Sequence, residues 1–124
     1  MKKVAVQGMT VLPVETGVKI EGWIVTTLPS TKVIADGKGV YSGDISVTVP
    51  APTLVSGGFV APSTVFTIHP SAIYSEADGK PVLLEGDTSD TITLTGTNPV
   101  SGLQAAFPLT LKVSVAGQDS ITAE

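Results

Sequence analysis

An all-β fold of short antiparallel strands and tight hairpins follows from three features of this 124-residue sequence. First, β-branched residues abound. There are 17 Val and 16 Thr before any Ile is added, and such side chains suit a pleated sheet better than a helix. Second, 13 Gly and 9 Pro punctuate the whole chain. The longest stretch free of both is Asp87–Thr95, nine residues, whereas a mean helix runs about 11–12. Pro or Gly inside a helix costs about 3 or 1 kcal/mol against Ala. Third, the segments between breakers alternate apolar and polar residues with period two, the pattern of a strand with one buried and one wet face.

The elements follow in order. Val18 and Ile20 alternate with Lys19 and Glu21 and lead into Trp23-Ile24-Val25. Asp36-Gly37 is a pair suited to the positive-φ positions of a two-residue hairpin turn. Ile45, Val47 and Val49 face one way, with Ser46 and Thr48 opposite. Asp78-Gly79 repeats the turn pair, and Ile92 and Leu94 then alternate with Thr91, Thr93 and Thr95. Leu109, Leu111, Val113 and Val115 alternate with Thr110, Lys112 and Ser114 as one run. Trp23, Phe59, Phe66 and Phe107 are expected in the core, and Tyr41 and Tyr74 are expected to pack alike beside the two Asp-Gly turns.

Composition bounds the function. Only 15% of residues are charged, against about 25% in typical soluble domains. The seven basic residues are all Lys and the net charge is −4, so no nucleic-acid partner is expected, because that role needs a basic surface. With no Cys there is no disulfide, thiol nucleophile or Cys-based zinc site. The start Met1–Gln7 mimics the charged opening of a signal peptide, but Gln7 and Gly8 cut its apolar run to three residues, where a signal peptide needs about 7–15. The expectation is synthesis in the cytoplasm with no secretory address and no membrane insertion.

The sequence also repeats itself. Thr26 pairs with Thr67 and Pro29-Ser30 with Pro70-Ser71 at an offset of 41. Ala35-Asp36-Gly37-Lys38 matches Ala77-Asp78-Gly79-Lys80, and Val40 matches Val82, at 42. Gly43-Asp44 matches Gly86-Asp87 at 43, Val55-Ser56-Gly57 matches Val100-Ser101-Gly102 at 45, and Pro62 matches Pro108 at 46. The slow drift reads as loop insertions in a duplicated unit. One domain over residues 1–124 is expected, with copies at approximately 24–66 and 67–113 in a compact, pseudo-symmetric cone- or barrel-like arrangement.

Two phrases carry a family resemblance. Ser30-Thr31-Lys32-Val33-Ile34-Ala35-Asp36-Gly37-Lys38-Gly39-Val40 and Ser71-Ala72-Ile73-Tyr74-Ser75-Glu76-Ala77-Asp78-Gly79-Lys80-Pro81-Val82 resemble the phrase "Ser-x-Lys-Val-x-x-x-Gly-Lys-Pro-Val" of PAAR-repeat and PAAR-like proteins. The resemblance covers approximately residues 24–95. It implies a small pseudo-threefold β cone on the blunt end of a trimeric spike protein (VgrG-like or a tail spike), in a phage tail, type VI secretion system or related contractile apparatus. The protein would be delivered outside the cell as part of that assembly. Many members hold a structural zinc through His and Cys. Here only His69 is present, with no Cys and no Arg to complete the Pro-Ala-Ala-Arg signature, so the metal-stapled apex is not carried over. The alternative architecture is an immunoglobulin-like or other β-sandwich decorating a phage particle or cell surface, which many short strands also satisfy.

Few residues are candidates for chemistry. The Asp36-Gly37 and Asp78-Gly79 turns are read as structural repeat positions. His69, ending Thr67-Ile68-His69, is read as a hydrogen-bonded structural histidine, with a metal ligand (shared between three copies in a homotrimer) or a general base as the functional readings set beside it. Glu85-Gly86-Asp87-Thr88-Ser89-Asp90 supplies oxygens for Ca²⁺ through Asp87 and Asp90, but lacks the alternating carboxylates of an EF-hand loop, so a solvated turn is expected. No catalytic residue, cofactor or small-molecule ligand is expected.

Overall fold

The computed structural model describes residues 2–123, and among them there is no helix. Every ladder is antiparallel, and the strands group into six small sheets that do not close into a barrel. Short runs between frequent Gly and Pro leave no strand longer than six residues, too little for one continuous wall.

The largest sheet carries the Gln104–Leu109, Ile92–Thr97, Phe59–Val60, Thr53–Leu54 and Val18–Lys19 strands in that order. A second places Ile45–Val49 between Thr64–Ile68 and Ile24–Val25. Alternation works as the sequence indicates. Ile45, Val47 and Val49 are fully buried, and Ser46 and Thr48 lie between them, less covered. Their apolar face packs on Phe66, Ile68, Leu94, Phe107, Leu109, Leu111 and Val113, forming the main core. Trp23 and Phe59 are only partly buried against it.

The Leu109–Val115 run is corrected. It divides at Thr110 into the ends of two strands, Gln104–Leu109 and Leu111–Val115. Glu15 holds the break, its carboxylate accepting the Thr110 amide (2.7 Å) and hydroxyl (3.0 Å). A register shift between Val113 and Val115 against Thr10–Pro13 then turns Val115 outward, 52% exposed. A bulge resets the side-chain parity that a two-residue period assumes.

Thr26 and Thr67 both flank one residue. The Thr26 amide donates to Ser46 O at 2.9 Å, and Thr67 is the register partner of Ser46 on the other side of the strand. From there the chain enters Pro29-Ser30 and Pro70-Ser71, respectively. The later matches are not equivalent in space. Pro62 precedes the Thr64–Ile68 strand, whereas Pro108 lies inside the Gln104–Leu109 strand.

Candidate functional site

The two Asp-Gly turns share one geometry. Ala35 pairs with Lys38 across the first and Ala77 with Lys80 across the second. Asp36 and Asp78 have φ of 53° and 54°, followed by Gly37 and Gly79 at 76° and 78°. Two successive positive φ values are the requirement of the type I′ turn, which matches the twist of a hairpin. In both, the residue two beyond Lys returns a hydrogen bond: Val40 N donates to Val33 O (3.0 Å) and Val82 N to Ser75 O (3.1 Å).

A third pair completes the set. Lys2–Lys3 pairs with Thr122–Ala123, with Lys2 opposite Ala123. Val4 N donates to Ile121 O at 3.0 Å, the counterpart of the Val40 and Val82 bonds. The two ends of the described chain thus make the hairpin module that Ala35–Lys38 and Ala77–Lys80 make through a turn.

Beyond the hairpins the three modules lock together in a ring. Ala5 N donates to Leu83 O (2.8 Å), Leu83 N to Tyr41 O (2.9 Å), and Tyr41 N back to Ala5 O (3.1 Å). Three outer bonds repeat the cycle: Gln7 to Gly39 O (2.9 Å), Gly43 to Pro81 O (2.9 Å) and Glu85 to Lys3 O (2.8 Å). Isolated bridges Val6 to Val40, Ser42 to Val82 and Val4 to Leu84 follow the same order. The result is a pseudo-threefold triangle of extended segments at residues 4–6, 40–42 and 82–84.

Side-chain alternation gives the triangle two faces. Ala5, Tyr41 and Leu83 point into the main core. Val4, Val6, Val40, Val82 and Leu84 point the other way, into a smaller core closed by Ala35, Ala77 and Ala123, one alanine from each hairpin. An alanine at each of these positions leaves room for three hairpins to converge. An apolar hollow of about 200 Å³ is lined from all three modules, including Val33, Ser75 and Ile121 at equivalent positions.

Two sequence readings are corrected here. Gly43 donates to Pro81 O and so stands where Glu85 stands, not Gly86; the extra residue of the second copy falls after the ring, not within it. Tyr41 and Tyr74 are not alike. Tyr41 is buried in the ring, where burial pushes its hydroxyl pKa up, and its counterpart is Leu83. Tyr74 precedes its turn and is 79% exposed.

Gln118 was invisible to pattern reasoning. Its Nε2 donates to Val4 O and Ile121 O, both at 2.8 Å, and its Oε1 accepts the Ser120 and Ile121 amides at 2.8 Å. Ser30 has the corresponding place in the first module. Its amide donates to Val40 O (2.8 Å) and its Oγ accepts the Lys32 and Val33 amides. The Gln118 side-chain amide in one module and the Ser30 hydroxyl together with its own backbone N–H in another meet corresponding backbone groups, and only spatial superposition relates them.

His69 follows the Thr64–Ile68 strand and lies between two carboxylates, Asp44 (Nδ1 to Oδ1, 3.1 Å) and Asp90 (Nε2 to Oδ2, 3.0 Å). Both nitrogens face acceptors, which only the doubly protonated imidazolium can satisfy as a donor at both. Hydrogen bonding to Asp90, then to Asp44, holds its pKa above the ordinary 6.5. Asp87 and Asp90 do not converge. Asp87 turns inward, 4% exposed, where its carboxylate accepts the Leu84 amide (2.8 Å), the Ser71 amide (3.1 Å) and the Ser71 hydroxyl. Among the described residues no group of three or more His, Cys, Asp or Glu side chains is arranged to hold a metal.

Comparison with protein-family models, with curated proteins and with solved structures finds no match for this chain. Its reading rests on its own geometry.

Proposed function

We propose that this chain is a non-enzymatic structural tip that caps a trimeric β-helical spike of a contractile injection apparatus, of the phage-tail or type VI secretion kind. The observation that carries this reading is the ring: three backbone segments of one chain, hydrogen-bonded head to tail around a pseudo-threefold axis. A single chain gains from imitating threefold symmetry when its partner is a homotrimer, because each partner subunit then meets nearly the same surface. A two-sheet sandwich has no need of such a ring.

The docking face in this reading is the triangle of hairpins, with Val33, Ile34 and Ile121 exposed around the apolar hollow. Low charge content agrees with a chain that has a covered face, since interface centres are depleted in charge. The role asked of the protein is mechanical, and the paired strands of the ring leave few free edges there.

The test is co-expression with trimeric β-helical spike proteins of contractile injection systems, followed by size-exclusion chromatography with light scattering. One chain per spike trimer is expected, and Ile121→Asp is expected to lower the co-purified fraction at least tenfold. A folded monomer that ignores the spike, or three copies per trimer, overturns the reading.

A further inference from the structure

The Gln104–Leu109 strand ends the largest sheet, and among the described residues no strand pairs with its outer side. The ladder decides which backbone groups point that way. In an antiparallel pair, opposed residues alternate between those that exchange N–H···O=C bonds and those that do not. Asn98 N donates to Leu103 O at 2.8 Å, which sets the phase. The register then runs unbroken from Thr97 opposite Gln104 to Ile92 opposite Leu109. Ala105, Phe107 and Leu109 therefore bond inward, and Gln104, Ala106 and Pro108 turn their backbone groups outward. Pro108 agrees, because a residue without an N–H is tolerated on the free side of an edge strand.

The outward N–H and C=O groups of Gln104 and Ala106 have no partner among the described residues. Alternate residues of a strand stand about 6.8 Å apart, a spacing that another extended chain matches. This edge is a template for strand addition. Natural edges are blunted by shortness, charge or a bulge. The opposite edge of the same sheet is the two-residue strand Val18–Lys19, which carries a lysine. The Gln104–Leu109 edge has six residues, no register shift and no charge. Leu103, just before it, is 65% exposed.

Symmetry and charge select the occupant. The outward pattern, donor and acceptor at position 104 and again at 106, reads the same in both chain directions. Turned about a twofold axis through Ala105 it meets itself, Gln104 against Ala106 and Ala106 against Gln104. Every one of those N–H and C=O groups is then paired. Side chains near such an axis lie beside their own twins, so a charged residue there meets a like charge. The chain carries a net charge of −4, yet Thr91–Leu111 contains no Asp, Glu, Lys or His, and the chain has no Arg. A second copy of this acidic chain meets no like charge on that stretch. Ala105 opposes Ala105 in the closer, non-hydrogen-bonded kind of pair, with Cα atoms about 4.5 Å apart, and a methyl group fits there. The same register sets Leu103 of one copy against Phe107 of the other.

We infer that the Gln104–Leu109 edge is a self-association surface, on which two copies of this chain pair antiparallel about Ala105 and continue the sheet across the dimer. The inference is independent of the spike reading. Residues 104–106 belong to the main-core sheet and not to the hairpins, so a pair still presents one triangle per chain.

Light scattering over a dilution series of the purified chain is expected to show a reversible dimer, twice the 12.6 kDa of one chain. Ala106→Lys sets like charges on both sides of the axis and is expected to weaken dimerisation about tenfold or more. Ala106→Ser, small and neutral, is expected to leave it unchanged. Ala106 is exposed and its N–H points out of the ladder, so both variants keep the fold, checked by circular dichroism. The chain has no Cys, so Ala105→Cys reports the register: mild oxidation is expected to link two copies faster there than at Val100→Cys, because β-carbons facing across the axis suit a disulfide. In amide exchange, Gln104 and Ala106 are expected to be protected in the native dimer and open in Ala106→Lys. A native chain that stays monomeric, a dimer that Ala106→Lys leaves intact, linkage no faster at 105 than at 100, or unprotected amides at 104 and 106 each overturn the inference. None of these results bears on spike co-purification, and failure of that experiment leaves the dimer standing.

Discussion

His69 is held by charge rather than by burial. Its imidazole is 45% exposed, with Asp44 and Asp90 at 65% and 79%, so the bridge acts in high dielectric and its contribution is modest. The sign of its pH dependence is nonetheless definite. The folded-state pKa lies above the ordinary 6.5 because both carboxylates favour the protonated ring. Stability from the bridge is therefore fully present below about pH 6.5 and is lost as pH rises through the raised folded value. The melting temperature of the native chain minus that of His69→Gln is expected to shrink between pH 5.5 and 8.5. A difference that is flat, or that grows with pH, contradicts this arrangement. The sequence marked His69 as structural and hydrogen-bonded, but Asp44 and Asp90 as partners depend on loops separated by 25 and 21 residues.

The hairpin is the element in which local chemistry dictates structure most completely. Asp followed by Gly supplies two residues tolerant of positive φ, and the flanking Ala and Lys fall into register without help from distant contacts. Gly79 sits at φ 78° with open space around its α-carbon, so a side chain there meets no neighbour and only the backbone is penalised. Gly79→Ala is expected to lower stability by about 1–2 kcal/mol, the cost of holding an L-residue in the left-handed region. Urea unfolding measures it, and an unchanged midpoint refutes it. Gly39 is constrained differently. A β-carbon there falls 2.5 Å from Ser30 O, because the Pro29-Ser30 segment crosses close above the strand. Its ring counterparts are Pro81 and Lys3, so no repeat pattern marks this glycine.

At the scale of the whole molecule, the unit that recurs is a hairpin leading into one side of the triangle, and it occurs three times. Lys38-Gly39-Val40 and Lys80-Pro81-Val82 were visible as copies because each follows Asp-Gly. Lys2-Lys3-Val4 has the same Lys-x-Val order but is not preceded by Asp-Gly, and its partner strand Thr122–Ala123 is distant in sequence. Joining Ala123 to Lys2 through Asp-Gly, in place of Glu124 and Met1, and opening the chain between Asp36 and Gly37 should therefore yield a folded permutant. Its amide spectrum is expected to match that of the native chain outside the altered turns. A permutant that is unfolded or aggregated would show that the third module is not interchangeable with the first.

Strand character, turn positions and the buried parity of Ile45–Val49 were settled by the amino-acid order, because they depend on residues within a few positions of one another. The parity of Val115, the inward turn of Asp87, the role of Gln118 and the closing of the ring were decided only by tertiary structure. Each depends on a hydrogen bond or bulge between segments far apart in the chain. A ring of three segments is closed by its last bond, and here that bond joins residues near the first to residues near the eighty-third. Local propensity carries no information about which distant carbonyl an amide meets. That pairing is fixed only when the cores on both faces of the triangle are packed at once.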